Sequence, residues 1–333
     1  MTEFGDAGIS LRVIDAKLMR SLAPAEDLID WMRDAMVATS SRRINLPLRR
    51  PLILPDGQGM LSLMPGYVQA VGAAGVKLVS LVPEQRRKGS SHLGLMVLYD
   101  ADGLVPVALL CGATITALRT AAVSALATDV LSRTDATTLA IIGAGEQAAA
   151  HLSAFKHLRR WQECRIWSRT KASADALAAK FPLPNARMIS CESVAAAVTG
   201  ADVVCTVTSA SEPVLHGRLI QPGTHVNLVG SSDASAHEVD DELIPKSRYF
   251  IDFFPSALDQ AAEFVTAVRR GLVTESHVAG ELGEVLKGTV QGRSATQDIT
   301  VYKSVGISSQ DIVCAQRILE RASRENLGVV VTI

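Results

Sequence analysis

The sequence has few cysteines, and no two of them form a CxxC pair. The five cysteines among 333 residues are odd in number and widely spaced, which favours reduced thiols over a disulfide framework. The seven histidines lack the regular spacing of metal ligands. The sequence therefore predicts neither a disulfide-stabilised fold nor a metal site.

The sequence also has no large excess of positive or negative charge, and it has no long apolar run. The chain has 33 Lys and Arg against 34 Asp and Glu, mixed along its length, for a net charge of −1. This balance disfavours binding to nucleic acid. No uncharged apolar run reaches the roughly 18 residues of a membrane span, and the opening MTEFGDAGIS has no basic segment followed by an apolar stretch. We expect a cytoplasmic protein that binds neither nucleic acid nor membrane.

The apolar residues follow two different patterns in two regions of the chain. With 48% hydrophobic residues, the chain is long enough to bury two cores. Short apolar runs follow one another from about residue 45 to 110, and two of them flank a hairpin signal at residues 100–103. From about residue 120, short apolar runs alternate with helical stretches, which is typical of a parallel sheet covered on both faces.

These patterns predict an α/β protein of two domains. A Rossmann-type, doubly wound parallel sheet is expected over residues 119–305. A mixed α+β domain with an antiparallel sheet is expected over residues 1–118. The C-terminal stretch 306–333 is expected to return to that domain, with a helix over SSQDIVCAQRILERASRENLG that Ser308 or Ser309 caps.

A glycine-rich turn in the second domain predicts a nucleotide cofactor. GAGEQA follows the strand TLAII and opens a helix, which is the context of the GxGxxA dinucleotide fingerprint. Gly143 permits the tight turn, Gly145 lets the backbone approach a pyrophosphate, and Ala148 keeps helix and strand close. The helix N-terminus offers free N–H groups to phosphate. The cofactor-binding residues predicted in this turn are Gly143, Ala144, Gly145, Glu146 and Gln147. The alternative is a glycine turn without a ligand.

The end of the second strand indicates which nicotinamide cofactor is used. An NAD site usually has Asp or Glu there to bond the ribose 2′-hydroxyl, but here Ser168, Arg169 and Thr170 follow the strand. Arg169 offers a fixed cation to a 2′-phosphate, and the two hydroxyls offer neutral donors. We therefore expect NADPH, with NADH less favoured. The alternative is an exposed arginine in a loop.

Three cations stand in otherwise apolar surroundings. They are Arg49 in LPLRRPLIL, Lys77 in GVKLVSL and Arg119 in ITALRTAAVSA. Each alone is more typical of an exposed or structural position. Together they could hold a carboxylate through charge-assisted hydrogen bonds and so orient a small acid.

Several sequence blocks together resemble the ornithine cyclodeaminase/mu-crystallin family. Within this family, they are most similar to the ketimine reductases. The blocks are RTAAVSA (119–125), IIGAGEQA, IWSRT, ADVVCTVTSASEP (201–213), HVNLVGS, DDEL (240–243), GELGEVLKG (280–288) and TVYKSVG (300–306). The resemblance implies a nicotinamide cofactor on the second domain, and a first domain that binds substrate and forms a homodimer. It implies that Arg49, Lys77 and Arg119 bind the substrate carboxylate. It also assigns Thr206, Val229 and Lys303 to the cofactor site.

The chemistry within this family depends on the residues after NLVG. In its cyclodeaminases the third residue after the valine of the VG pair is a catalytic aspartate; counted from Val229, this chain has Ser232 there, with Asp233 one residue later. The second ammonium of ornithine would be buried without a counter-charge, which a serine cannot supply. A cyclic imine needs only a hydrogen-bond partner or a proton source.

The expected function is therefore NADPH-dependent reduction of a cyclic ketimine carboxylate. Δ1-pyrroline-2-carboxylate would give L-proline, or Δ1-piperideine-2-carboxylate would give L-pipecolate, with Lys77 and Ser232 as catalytic candidates. The proton source is left open between Lys77 and an ordered water. Three alternatives stay open: ornithine cyclodeaminase with Asp233 as its carboxylate, alanine dehydrogenase-like activity, and a cofactor-dependent binding protein. Glu281 and Glu284 are interpreted as a solvated or capping pair rather than an acid–base pair.

Overall fold

A computed structural model describes residues 8–55, 58–81, 92–231 and 236–333, without the side chain of His92. The chain divides into two compact units. The first unit contains the chain up to Ala38, then Arg42–Arg119 and Ser308–Ile333. The second unit contains Thr39–Ser41 and Thr120–Ile307.

The described residues form sixteen strands and eleven helices. The strands are β1 (Ser10–Ile14), β2 (Ile44–Asn45), β3 (Arg50–Ile53), β4 (Met60–Val68), β5 (Ala73–Leu81), β6 (His92–Asp100), β7 (Pro106–Cys111), β8 (Thr138–Ile142), β9 (Glu163–Trp167), β10 (Arg187–Ser190), β11 (Val203–Thr206), β12 (His225–Leu228), β13 (Ser247–Ile251), β14 (Val278–Glu281), β15 (Ile299–Lys303) and β16 (Val329–Thr332). The helices are α1 (Ala16–Leu22), α2 (Ala25–Ser40), α3 (Gly112–Leu131), α4 (Glu146–Phe155), α5 (Lys171–Lys180), α6 (Val194–Val198), α7 (Leu243–Lys246), α8 (Phe254–Gln260), α9 (Ala262–Arg269), α10 (Leu282–Leu286) and α11 (Ser308–Arg324).

The first unit is built on one eight-stranded sheet. Its strand order is β16-β1-β7-β6-β5-β4-β2, with β3 also paired to β4. The pairs are antiparallel except β1 with β7, which is parallel. The strands β6 and β7 form the hairpin that the sequence predicts around residues 100–103.

The C-terminal helix α11 packs on one face of this sheet, against β4 and β5. Two glycines on these strands make the close approach possible. A Cβ at Gly66 would lie 2.6 Å from the Ser308 Oγ, and one at Gly75 would lie 3.3 Å from the Ile312 Cγ1. Ser308 donates a hydrogen bond of 2.8 Å to the Pro65 carbonyl oxygen. Lys77, buried on β5, lies on this covered face.

The opposite face of the same sheet, here called the outer face, carries a row of leucines. Leu63 pairs with Leu78, and Leu78 pairs with Leu95. Alternation along the strands turns these side chains away from α11. Leu63 is 38% exposed and Leu95 is 48% exposed, and neighbouring Leu93 is 56% exposed.

The second unit is a doubly wound α/β domain, as the sequence predicts. Its strand order is β10-β9-β8-β11-β12-β15-β13-β14, and every neighbouring pair is parallel. All residues of β11, β12 and β15 are buried, as is typical of strands in a parallel sheet that is covered on both faces. Within the described part of the chain, α3 alone has the length and composition to cross a membrane, yet 78% of its apolar window is buried inside the protein.

Candidate active site

A cluster of buried charges lies between the sheet of the first unit and its helices. The Asp311 carboxylate on α11 binds two cations: its Oδ2 lies 2.8 Å from the Lys77 Nζ, and its Oδ1 lies 3.0 Å from the Arg119 Nε. Lys77 is 2% exposed, Arg119 is 4% exposed, and Asp311 is fully buried. The structure therefore brings two of the three predicted carboxylate-binding cations together on one buried acid.

Neutral side chains complete the contacts of these two cations. Lys77 lies 3.2 Å from the Thr116 Oγ1, which itself donates to the Gly112 carbonyl oxygen. The Arg119 Nη1 donates a hydrogen bond of 2.8 Å to the Gln310 Oε1. Lys77 thus contacts Asp311 as an ion pair and donates a hydrogen bond to Thr116. These contacts use neither the Nη2 group of Arg119 nor all three N–H donors of Lys77.

Burial controls the charge state of Lys77. Desolvation lowers the pKa of its ammonium from 10.5 to about 8. The Asp311 carboxylate opposes this effect, whereas the positive charges of Arg119 and Arg49 add to the lowering of the pKa. Arg49, the third predicted cation, is half-buried before β3, and its charge acts on the Lys77 ammonium. Lys77 is therefore mainly protonated at neutral pH and loses its proton in mildly alkaline solution.

Asp311 is the main residue of this cluster that the sequence reasoning missed. It lies on the same stripe of α11 as Ala315, Ile318 and Ala322, at spacings of four, seven and eleven residues, and all four are completely buried. The helical periodicity of the α11 sequence places the Asp311 carboxylate among apolar positions, and this could have indicated that Asp311 is buried. Buried charges are normally paired, so this position would have predicted a cationic partner.

The glycine-rich turn of the second unit has the shape that the fingerprint requires. Gly143 has a φ of +124°, and a Cβ on it would lie 2.7 Å from the Val207 carbonyl oxygen. Gly145 caps α4 with a φ of −88°, and a Cβ there would meet nothing within 4 Å. Ala148 is completely buried. The turn is thus closed against the sheet at Gly143 and open at Gly145.

The end of β9 places the residues predicted to select the cofactor before α5. Arg169 and Thr170 are exposed, and Ser168 is half-buried. The first carboxylate downstream, Asp175, lies 3.2 Å from the Lys171 Nζ. No Asp or Glu therefore stands at the position that usually bonds the ribose hydroxyls.

The other residues that the resemblance assigns to the cofactor lie in a buried polar network of the second unit. The Thr206 hydroxyl donates a hydrogen bond of 2.8 Å to the Glu238 carboxylate, and the Val229 N–H donates a hydrogen bond to the Thr206 carbonyl oxygen. The Lys303 ammonium is completely buried; it lies 3.0 Å from the Glu263 Oε2 and donates 2.7 Å to the Ser231 carbonyl oxygen. Thr206 and Lys303 thus direct their polar ends into the protein.

Glu238 and Glu263 have no place in the sequence-based site, yet they organise this network. Glu238 also accepts hydrogen bonds from the Thr208 N–H and hydroxyl at 2.8 and 2.7 Å and from the Gly230 N–H at 2.7 Å. Burial raises the pKa of its carboxyl, and Lys303 and these donors oppose the rise. The ends of β11 and β12 are fixed by these bonds.

Ser232 and Asp233 lie outside the described residues. On either side of them, Ser231 donates a hydrogen bond to the Ala236 carbonyl oxygen.

Two further predictions concern acidic residues and metals. Glu281 and Glu284 form a capping box at the start of α10, with both reciprocal hydrogen bonds present. The capping interpretation of this pair is confirmed, although Glu281 is only 3% exposed and so is not solvated. Across the described ranges, no group of three His, Cys, Asp or Glu residues is arranged to hold a metal ion.

The parallel sheet and its glycine turn place the chain in the class of Rossmann-type α/β proteins. The sequence profile of the ornithine cyclodeaminase/mu-crystallin family matches residues 13–326. The chain belongs to this family.

Relatives with known names cover most of the chain. A Delta(1)-pyrroline-2-carboxylate reductase from Bacillus cereus is 33% identical over 322 residues, which cover 95% of this chain and 98% of that protein. The ketimine reductase mu-crystallin of Mus musculus is 35% identical over 275 residues, covering 82% and 84%. The structure of the Thermococcus litoralis Delta(1)-pyrroline-2-carboxylate reductase in complex with NADH and L-proline superimposes with a TM-score of 0.91 at 30% identity, covering 96% and 100%.

Proposed function

We propose that the protein is an NAD(P)H-dependent reductase of cyclic ketimine carboxylates. Its substrate would be Δ1-pyrroline-2-carboxylate, Δ1-piperideine-2-carboxylate or both, giving L-proline and L-pipecolate. The observation that carries this proposal is the buried cluster of Lys77, Arg119 and Asp311, in a chain whose relatives are named for this chemistry. We also propose a cytoplasmic location, in line with the composition.

The cationic cluster suits a small monocarboxylate. Two cations, Lys77 and Arg119, share the one carboxylate of Asp311, so among these three side chains one positive charge is in excess, and an added anion would reduce it. The remaining donors of Lys77 and Arg119 can bond a carboxylate, each contributing about 1.5–3 kcal/mol. A substrate held in this way would present its C=N bond in one orientation, which is a large part of what such a reaction needs.

The second unit fits a nicotinamide dinucleotide. The space beside Gly145 is open, and the N-terminus of α4 behind it can bond a pyrophosphate. The buried Gln147 Oε1 has no hydrogen-bond partner in the described part of the chain. When bound, the reduced cofactor supplies a hydride to the C=N carbon. The ring nitrogen also needs a proton, and Lys77, protonated at neutral pH, is one source that this site can offer beside an ordered water.

A direct assay tests the proposal. The purified protein is mixed with NADPH or NADH and with each cyclic imino acid in turn, while the near-ultraviolet absorbance of the reduced nicotinamide is followed and the product is identified by mass spectrometry. We expect proline or pipecolate to form in step with cofactor oxidation. Absence of turnover with both ring sizes would reject the proposed reaction. Ammonia release from ornithine without net cofactor consumption would identify a cyclodeaminase, and alanine formed from pyruvate and ammonia would identify a dehydrogenase of open-chain acids.

We propose NADPH as the preferred cofactor, on account of Arg169 and the missing acid after β9. Substitution of Arg169 by Asp should raise the KM for NADPH by about tenfold or more, because a cation facing a phosphate is replaced by a like charge. The KM for NADH should fall in the same variant, since a carboxylate can accept hydrogen bonds from the ribose hydroxyls. Lys171→Gln, two residues further along the chain, is the control and should leave the preference unchanged. Equal KM values for both cofactors in the unaltered protein would contradict this assignment.

We propose that the protein is a homodimer and that the outer face of the first unit is its interface. Exposed apolar patches of this kind are uncommon on monomers, and the leucines of β4, β5 and β6 form a continuous row. Substitution of Leu95 by Lys should shift the protein from dimer to monomer in analytical ultracentrifugation. Leu272→Lys, at an exposed leucine of the second unit, should leave the dimer intact. A monomeric unaltered protein would rule the proposal out.

A further inference from the structure

We propose that Asp311 is a positioning residue that prepares the first unit for an anionic substrate. Its two carboxylate oxygens would hold the Lys77 ammonium and the Arg119 guanidinium at a fixed separation and direct their remaining donors toward one added carboxylate. This inference rests on the proposed function for the identity of the ligand. The role of Asp311 as a positioning residue follows from its own contacts.

The carboxylate connects three elements that are distant in the chain. Asp311 lies in the first turn of α11, Lys77 on β5 and Arg119 on α3. Each oxygen takes a different cation, so moving the carboxylate would move both donors. Gln310, its neighbour, accepts from the Arg119 Nη1 and donates to the Met36 sulfur at 3.3 Å, which fixes the guanidinium on a second side.

The alternative, that Asp311 serves stability alone, explains less of the geometry. A buried ion pair is worth little to stability compared with apolar residues of similar size, so a purely structural role would be served as well by an apolar cluster. Two cations on one buried acid leave an excess of positive charge. Because isolated buried charges are costly, that excess favours a counter-ion from outside the chain.

The charges around Lys77 define how its protonation responds to Asp311. The groups that face Lys77 are Asp311 and Cys314 from α11, Arg119 from α3, and Arg49. Burial raises the pKa of the Cys314 thiol to about 12, so this group stays neutral. Asp311 is the one group among them that favours the protonated form of Lys77; the two arginines oppose it. Removal of this carboxylate should therefore make Lys77 lose its proton at lower pH.

The test uses ligand binding, which does not depend on turnover. The full-length protein, saturated with oxidised cofactor, is titrated with pyrrole-2-carboxylate, a planar five-membered ring acid, by calorimetry over a range of pH. Asp311→Asn removes the charge and keeps the size of the side chain. Asp311→Glu keeps the charge. Glu320→Gln is the control on the same helix, because Glu320 is partly exposed and its carboxylate contacts Arg317 and Gln316.

We expect the unaltered protein to bind the acid at neutral pH and to lose affinity as pH rises through the Lys77 transition. In Asp311→Asn the transition should move to lower pH and the affinity at neutral pH should fall by about tenfold or more, which corresponds to one pK unit. Asp311→Glu should keep the transition of the unaltered protein even where its affinity is weaker, and Glu320→Gln should change neither. The affinity for the cofactor should stay within about twofold in all variants, because the residues proposed to bind it belong to the second unit.

An unchanged transition or a tighter complex in Asp311→Asn would overturn the inference, since a structural residue would lower the amount of folded protein without moving the transition. If urea unfolding shows that Asp311→Asn does not fold, the Asp311→Glu variant provides the test. A pH transition of ligand binding that moves to lower pH in Asp311→Glu would overturn the inference. Binding of the acid without turnover of any cyclic imino acid would reject the proposed function and leave the role of Asp311 supported. Failure of the unaltered protein to bind the acid would overturn the inference itself.

Discussion

Substitution of Lys77 by methionine is expected to lower kcat/KM for a cyclic imino acid by about 10- to 100-fold, because a charge-assisted hydrogen bond of about 1.5–3 kcal/mol to the substrate carboxylate is lost. The side chain is buried and lies 2.8 Å from the Asp311 Oδ2, so the substitution also removes one of the two cations that Asp311 pairs with. The fall should therefore be accompanied by a lower free energy of unfolding. Steady-state kinetics with urea unfolding of the same preparation would measure both.

The pH dependence of the reaction gives an independent test of Lys77. Its ammonium has a pKa of about 8 in the folded protein, so it is charged below that pH and neutral above it. We expect kcat/KM to fall as pH rises through this value. In Lys77→Arg the fall should disappear from this range, because a guanidinium keeps its proton. A fall retained unchanged in Lys77→Arg would assign the transition to another group, such as the imine nitrogen of the substrate.

The expected fall in kcat/KM at alkaline pH cannot be explained by an effect of Lys77 on unfolding. The folded-state pKa of about 8 lies below the ordinary value of 10.5, so the unfolded chain binds more protons between these two pH values. The free energy of unfolding contributed by Lys77 therefore increases as pH rises from 8 to 10.5. Activity should fall where this contribution to stability rises, and unfolding curves on either side of pH 8 would separate the two effects.

The fold could be predicted because its determinants are local. The strands β8, β11 and β12 are buried runs of four or five residues between helices, and an apolar run with a glycine turn is enough to indicate a parallel strand followed by a helix. The parallel pairing of β1 with β7 has no such local signal. It depends on two strands from distant parts of the chain meeting in one sheet.

The candidate site was predictable only in part, for a related reason. Lys77 and Arg119 stand out as cations in apolar sequence, but their shared partner Asp311 follows Arg119 by 192 positions. That pairing depends on α11 returning to the sheet of the first unit. Glu238 and Glu263 pass for surface acids in the sequence; they are buried because Lys303 and the backbone N–H groups at the ends of β11 and β12 provide their partners. Such pairs are fixed by tertiary structure and have no sequence spacing to reveal them.

The two glycines of the dinucleotide turn should respond in opposite ways to the same substitution. Gly145→Ala is expected to change the free energy of unfolding by less than about 1 kcal/mol, since its φ of −88° suits alanine and its Cβ would meet nothing within 4 Å. The KM for the cofactor should nevertheless rise by about tenfold or more, because the methyl group would occupy space that the pyrophosphate needs. Fluorescence titration with the cofactor and urea unfolding without it would measure the two effects.

Gly143→Ala should instead lower the free energy of unfolding by about 2 kcal/mol or more, because a φ of +124° is unfavourable for alanine and its Cβ would lie 2.7 Å from the Val207 carbonyl oxygen. Its effect on the cofactor should follow from a distorted turn and should weaken as stabilising osmolyte is added, whereas that of Gly145→Ala should persist. The contrast separates a glycine required by the backbone from one required by the ligand. An unchanged KM for the cofactor in Gly145→Ala would mean that the open space beside Gly145 is not reserved for a ligand, and the proposed cofactor site would then have no support from this turn.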